Sequence, residues 1–236
     1  MKKIITVLAI AILIFACSSK KEGNMTILAK IKGLKKGSLY LQKMNDTVLI
    51  SIDSIAILGE KRFKLSGNID SPELFFLTFK GSNTKKRILF FGEKGIITIN
   101  DNIDNFGLNP EITGSKNQEI LNKFDKINKQ FRNQRVDLIQ QELEAKKIKD
   151  EFMLKKVDEG YKKLFRRKVL FAANFAISNS DFEVSPYIGL TELYNANIKL
   201  LDTLNNSLSE KVKKSTYGKR FNTYVTNIKK SEGSTK

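Results

Sequence analysis

The chain has 236 residues, with 42 Lys and Arg against 25 Asp and Glu, a formal charge of +17, no His, no Trp and one Cys. Without His there is no Ser-His-Asp or Cys-His machinery and no imidazole metal ligand. One Cys cannot make a thiolate zinc site, an intramolecular disulfide or a CxxC redox pair. A hydrophobic fraction of 41% with 16 Phe suffices for a buried core and excludes a disordered composition.

The elements begin with an address. Met1-Lys2-Lys3 is a short positive segment, and the apolar run Ile4 to Phe15 is too short to cross a hydrocarbon layer of about 30 Å as a helix. It closes on Ala16-Cys17-Ser18-Ser19, with a small residue at the cleavage position of a secretory signal. A Cys directly after that position resembles a bacterial lipoprotein signal. The resemblance implies a signal peptide over 1–16 and a diacylated Cys17 (with palmitate-type chains) as the first mature residue. Two or three acyl chains hold a protein at a membrane where one does not. Ser18 after the Cys resembles the outer-membrane class, and 17–24 reads as the lipidated Cys and a polar tether. The expected location is the cell envelope, on the outer membrane and facing the periplasm.

From Met25 to about Thr113 the pattern has period two. Ile27, Ala29 and Ile31 alternate with Thr26, Lys30 and Lys32, and Leu39 and Leu41 alternate with Tyr40 and Gln42. Val48 to Ile57 is long and β-branched, Phe63 and Leu65 alternate with Arg62 and Lys64, and Leu74–Phe79, Arg87–Phe91 and Ile96–Ile99 follow. Alternation broken by turn residues every ten or so positions predicts an antiparallel β-sandwich over 25–114. No strand is followed by a helical crossover, which disfavours a parallel α/β sheet.

At Gly114-Ser115 the period changes to that of helices. Ser115-x-x-Gln118 has capping-box spacing, and Ile120, Phe124, Ile127 and Phe131 then recur along one helix face. Met153, Val157, Tyr161, Leu164, Phe165, Ala172 and Phe175 mark a second long helix. Pro186 reads as a first-turn proline behind an N-cap Ser185, and Ser207-x-x-Glu210 reads as a second capping box opening a helix towards Ile228. The whole chain is therefore predicted to be α+β, with the sandwich followed by a helical extension over 115–230 and a disordered tail over 231–236.

Gly33 to Leu41, Ile52-Asp53-Ser54-Ile55-Ala56, Arg62 to Gly67, Pro72-Glu73-Leu74 and Ile112-Thr113-Gly114-Ser115 together resemble the family known as domain of unknown function 4369. That resemblance implies a Bacteroidetes lipoprotein or secreted protein, in which such a domain often precedes a thioredoxin-like domain. Ser215 to Arg220 resembles the helical connector to that domain, but the chain stops at Lys236 without a CxxC. A separately encoded thioredoxin-like thiol oxidoreductase is accordingly an expected alternative partner.

Candidate sites are few. Asp53-Ser54 sits within a strand and lacks a second carboxylate nearby, so it reads as structural. Asp46-Thr47-Val48, Asp53-Ser54-Ile55 and Asp202-Thr203-Leu204 resemble the Asp-Ser/Thr-aliphatic acceptor of Bacteroidetes O-glycosylation, which nominates Thr47, Ser54 and Thr203. Asn100 to Asn105 lacks the EF-hand order and reads as a polar turn, and Gly92-Glu93-Lys94-Gly95 reads as a hairpin rather than a phosphate loop. On the second long helix Lys155, Lys162 and Arg166 recur at seven and four, with Lys156, Lys163 and Arg167 one residue on. This stripe is nominated as a contact for anionic lipid, a glycan or an acidic protein partner. Export argues against nucleic acid. No catalytic residue, metal ligand or cofactor is nominated, so the expected function is a non-enzymatic, membrane-anchored binding or interaction module.

Overall fold

The computed structural model describes residues 23–59, 62–80 and 85–233. The signal peptide expected over 1–16, Cys17 and most of the tether lie outside the described residues.

The N-terminal strands are β1 (Met25–Lys32), β2 (Gly37–Asn45), β3 (Val48–Ile57), β4 (Phe63–Gly67), β5 (Glu73–Lys80), β6 (Lys85–Gly92), β7 (Gly95–Asn102) and β8 (Glu111–Thr113). They form two four-stranded sheets, ordered β4-β1-β7-β8 and β3-β2-β5-β6. Period-two alternation holds where it was read: Met25, Ile27, Ala29 and Ile31 face inward with Leu39, Leu41, Phe63, Leu65 and Leu77 in one sandwich core. The pairing departs from the expectation at two places. Gly92 to Gly95 is not a hairpin, because β6 and β7 belong to different sheets and the turn carries the chain from one to the other. β1 and β7 run parallel, with Met25 opposite Gly95 and Lys32 opposite Asn102, while all other pairs are antiparallel. A parallel pair needs only a long enough connection. Here strands β2 to β6 provide it in place of a helix.

Asp53 joins the two sheets at their open edge. Its Oδ2 accepts from the Ser66 backbone N–H on β4 at 2.9 Å, and its Oδ1 accepts from Ser54 N–H. The last tether residues are likewise tied down, since Gly23 N–H donates to Ser66 Oγ and the Asn24 side chain exchanges hydrogen bonds with the Ile69 backbone.

The helices are α1 (Lys116–Ile148), α2 (Glu151–Ser178), α3 (Val184–Glu192), α4 (Ile198–Ser207), α5 (Glu210–Lys213) and α6 (Thr216–Gly233). Gly114 turns the chain from β8 into α1 at φ +90°, where a Cβ would lie 2.1 Å from the Ile96 carbonyl oxygen. Ser115 Oγ caps α1 by accepting from Gln118 N–H. The reciprocal half of the expected capping box is not made, because Gln118 Oε1 instead accepts from Phe91 N–H on β6 at 2.8 Å.

Two further helix starts differ from expectation. Ser185 lies inside α3, its buried hydroxyl donating to the Ala176 carbonyl, and Pro186 falls in the first turn, where its missing N–H costs nothing. Ser207 closes α4 by donating to the Leu204 carbonyl, so no capping box forms with Glu210. The caps there are Ser209 for α5 and Ser215 for α6, whose Oγ accepts from Gly218 N–H. Buried Leu208 and Val212 fold this stretch inward, and Gly218 approaches the Val212 carbonyl too closely for any Cβ. The chain between Ile198 and Gly233 is thus three helices. Helix α6 also runs through Gly233, three residues into the tail expected to lack structure.

Candidate functional site

The helices are seated on the sandwich through buried polar groups. Glu93, in the β6–β7 turn, accepts from the Lys116 and Asn117 backbone N–H groups at 2.7 and 2.9 Å, an anion placed where a helix N-terminus is positive. Asn117, buried, donates through Nδ2 to Glu93 and to Glu183 Oε2, and its Oδ1 accepts from Val184 N–H at 2.7 Å. Phe91 leaves the sandwich core for the helical one, meeting Tyr187 and Tyr217 edge-on at 5.5 and 5.9 Å. The Tyr217 hydroxyl accepts from Leu74 N–H, and burial pushes its pKa up to about 12.

From this base α1 and α2 run out as an antiparallel hairpin. Buried residues of α1 are confined to 117–128 and Ala145, although the helix has 33 residues and a length of about 50 Å. Beyond the first third the two helices cover mainly one another, through Leu138 against Gly160, Phe131 against Phe171, and Tyr161 OH donating to Glu142 Oε2 at 2.9 Å. Hydrogen bonds from Lys146 and Tyr161 hold the Glu142 carboxyl below its ordinary range.

The hairpin has two unlike faces. One bears a groove of about 350 Å³ between α1, α2 and the α3–α4 connection, lined by Phe131, Arg132, Arg135, Tyr161, Phe165, Lys168 and Tyr194 among others. The volume is in the range of small-ligand sites. Lys168 is held by Glu192 at 2.8 Å, and Glu192 also accepts from Asn128. Arg132 and Arg135 form no ion pair or hydrogen bond within the described residues. Phe165 and Tyr194 are 55% and 61% exposed, so aromatic side chains stand open beside the two guanidinium groups. Asp125 nearby has its pKa raised, by burial first and by the charge of Glu192, against the opposing pull of Arg132. The Tyr161 hydroxyl in this groove is engaged by Glu142, and Glu192 by Lys168 and Asn128.

The opposite face is a shallower groove lined by Gln134, Asp137, Leu138, Gln141, Gly160, Lys163 and Arg167. The six cations nominated on the basic stripe are all exposed on α2, but they are not equivalent. Lys162 pairs with Asp158 at 2.6 Å, and Arg167 donates to Gln134 and sits over the Phe131 ring, 5.9 Å from its centroid. Lys155, Lys156, Lys163 and Arg166 form no such contact within the described residues. Phe165, expected in the packed run, faces the Arg132–Arg135 groove instead of a core.

The other nominated residues are dispersed. Thr47 is exposed in the β2–β3 turn, Ser54 is exposed on edge strand β3, and Thr203 is exposed on α4 with its hydroxyl donating to the Lys199 carbonyl. The segment expected as a polar turn over Asn100–Asn105 is instead the end of β7 through Asn102, paired with β1, followed by a 3-10 turn over Ile103–Asn105; Asp101 accepts from Asn102 and Gly107 N–H, Asn102 accepts from Asp104 N–H, and Asn100 donates to Glu111. Among the described residues no cluster of three or more His, Cys, Asp or Glu is placed to hold a metal, and no helix is long and apolar enough to cross a membrane. Sequence reasoning missed Arg132, Arg135 and Tyr194. Arg132 and Arg135 were visible only as scattered charges on a polar face, and Tyr194 reaches the groove from a connection about sixty residues away.

Comparison with curated proteins finds no match, and comparison with solved structures finds none either. Residues 25–121, which hold all eight strands of the described residues and the start of α1, match the family described as Domain of unknown function (DUF4369).

Proposed function

We propose that the protein is a cell-envelope lipoprotein, held by Cys17, that acts as a non-enzymatic interaction module through the α1–α2 hairpin. The observation that supports it is the placement of Arg132 and Arg135, which make no ion pair or hydrogen bond among the described residues, beside the open rings of Phe165 and Tyr194 in one groove. Paired guanidinium groups suit carboxylates, and exposed aromatic side chains are typical anchors of interfaces. The ligand class this chemistry favours is an acidic segment of a protein, carrying carboxylates beside apolar side chains.

The two parts of the proposal separate experimentally. Cys17→Ser should leave an uncleaved or detached precursor that no longer partitions with membranes, and unchanged fractionation would remove the anchor. Arg132→Glu with Arg135→Glu should leave the protein in the membrane fraction while its in-cell crosslinked partner is lost. A partner retained at the parent level would remove the groove from the proposal. If the partner captured is a thioredoxin-like protein, the module serves as accessory to a thiol oxidoreductase.

A further inference from the structure

The turn between α1 and α2 carries two large apolar side chains that nothing covers: Ile148 is 71% exposed and Phe152 is 80% exposed. Flanking them in the sequence are Lys146, Lys147, Lys149, Lys155 and Lys156, with Asp150 and Glu151 in the turn itself. Lys146 pairs with Glu142, but the other four make no ion pair or side-chain hydrogen bond within the described residues. The turn itself is well formed, with Asp150 N–H donating to the Ala145 carbonyl and Asp150 Oδ1 capping α2 at Met153 N–H. An ordered tip that presents apolar groups amid a net excess of lysines matches the two terms of binding to an anionic bilayer, apolar burial in the headgroup region and attraction to lipid charge. Phe152, Lys156, Lys163 and Arg167 are spaced i, i+4, i+11 and i+15, so they share one side of α2, the side of the shallower groove.

We propose that this tip enters the headgroup layer of an anionic membrane, with Ile148 and Phe152 inserted and the surrounding lysines on lipid phosphates. The proposal rests on the lipoprotein reading and adds a second attachment point to it. The geometry makes the two points cooperate. Gly95 N–H donates to the Asn24 carbonyl, and the adjoining Glu93 holds the start of α1, so the anchor's exit lies at the base of the hairpin. The five residues between Cys17 and Gly23 reach at most about 18 Å, whereas the tip lies about 50 Å along α1. Both points touch one bilayer only if α1 lies within about 20° of its plane, by the same lengths. In that pose the side carrying Lys156 and Lys163 faces lipid, and the Arg132–Arg135 groove faces away, open to a protein.

The absence of Trp from the sequence provides a clean probe. The full chain carrying Phe152→Trp, reconstituted in phosphatidylethanolamine–phosphatidylglycerol vesicles, should show blue-shifted emission and lose at least about half of it to bromine-labelled lipids. In phosphatidylcholine vesicles it should show neither change, and about 1 M salt should reverse the shift by shortening the screening length to about 3 Å. Leu108→Trp, at an exposed position of the sandwich, should report water in both vesicles. Equal spectra for Phe152→Trp in the two vesicles would overturn the proposal, as would quenching of both reporters alike. A shift that depends on protein density and not on lipid charge would assign the tip to a second copy of the chain and overturn it too. None of these results bears on Cys17, whose failure appears as loss of the protein from the vesicles.

Discussion

Asn117 is the point where the sandwich, α1 and α3 meet, and its removal should be among the most damaging single changes in the molecule. In Asn117→Leu the Glu93 carboxylate keeps both backbone donors, at Lys116 and at position 117. Two buried groups lose their partner: the Val184 N–H, held at 2.7 Å, and Glu183 Oε2, held at 3.1 Å on a residue 1% exposed. An orphaned buried donor costs about 1–3 kcal/mol and a lost bond to a charged group about 1.5–3 kcal/mol. With some return from the apolar side chain, we expect a net loss of about 3 kcal/mol. For a chain of this size that is a fall of about 6–12 °C in the thermal midpoint, read by far-ultraviolet circular dichroism. Asn117→Asp tests the cause. It keeps an acceptor for Val184 but sets a third carboxylate between Glu93 and Glu183, which raises the pKa of the new group. Its favourable contribution is then present below the ordinary aspartate value and is lost as the pH rises through the raised one. Asn117→Asp should therefore approach the parent on acidification, while Asn117→Leu should not. A midpoint for Asn117→Leu within about 2 °C of the parent, or no acid recovery of Asn117→Asp, would refute the assignment of this cluster as the seam.

Two predictions concern proton-linked stability. Burial raises the Asp125 pKa, so its folded-state advantage is present below the ordinary aspartate value and is lost as the pH rises through the raised one. Asp125→Asn should flatten that loss in urea titrations across mildly acidic pH, and an unchanged slope would contradict it. The hydroxyl of Tyr217, at about 12, should make stability fall as the pH rises from 10 towards 12. Tyr217→Phe should remove that fall while lowering stability at neutral pH through the lost acceptor for Leu74 N–H.

The fold was legible where burial alternates locally. Ile27, Ala29 and Ile31, or Phe63 and Leu65, announce their strands because each is half-buried on a two-sided sheet. Gly114-Ser115 announces the change to helix because both the turn and the cap are chemical requirements of adjacent residues. Partner choice was not legible. The parallel pairing of β1 with β7 depends on strands about seventy residues apart, and Gln118 turns from its own helix to Phe91 on a distant strand. Ser207 and Ser209 both have cap chemistry, and burial of Leu208 decides between them. The site was half legible for the same reason. Lys155 to Arg167 read correctly as an exposed basic run, but only the neighbouring helix shows that Arg167 covers Phe131 and that Phe165 opens on the other side.

The central claim is that the groove of the hairpin holds an acidic protein segment while the chain is at the envelope. A photo-crosslinking amino acid at position 165, introduced into the full chain in its native cells, tests this most directly. The account predicts a discrete adduct to an acidic protein, absent when the same probe stands at position 108 on the sandwich, and lost when Arg132→Glu and Arg135→Glu are added. Adducts that are the same from both positions, or that survive the charge reversal, would contradict it.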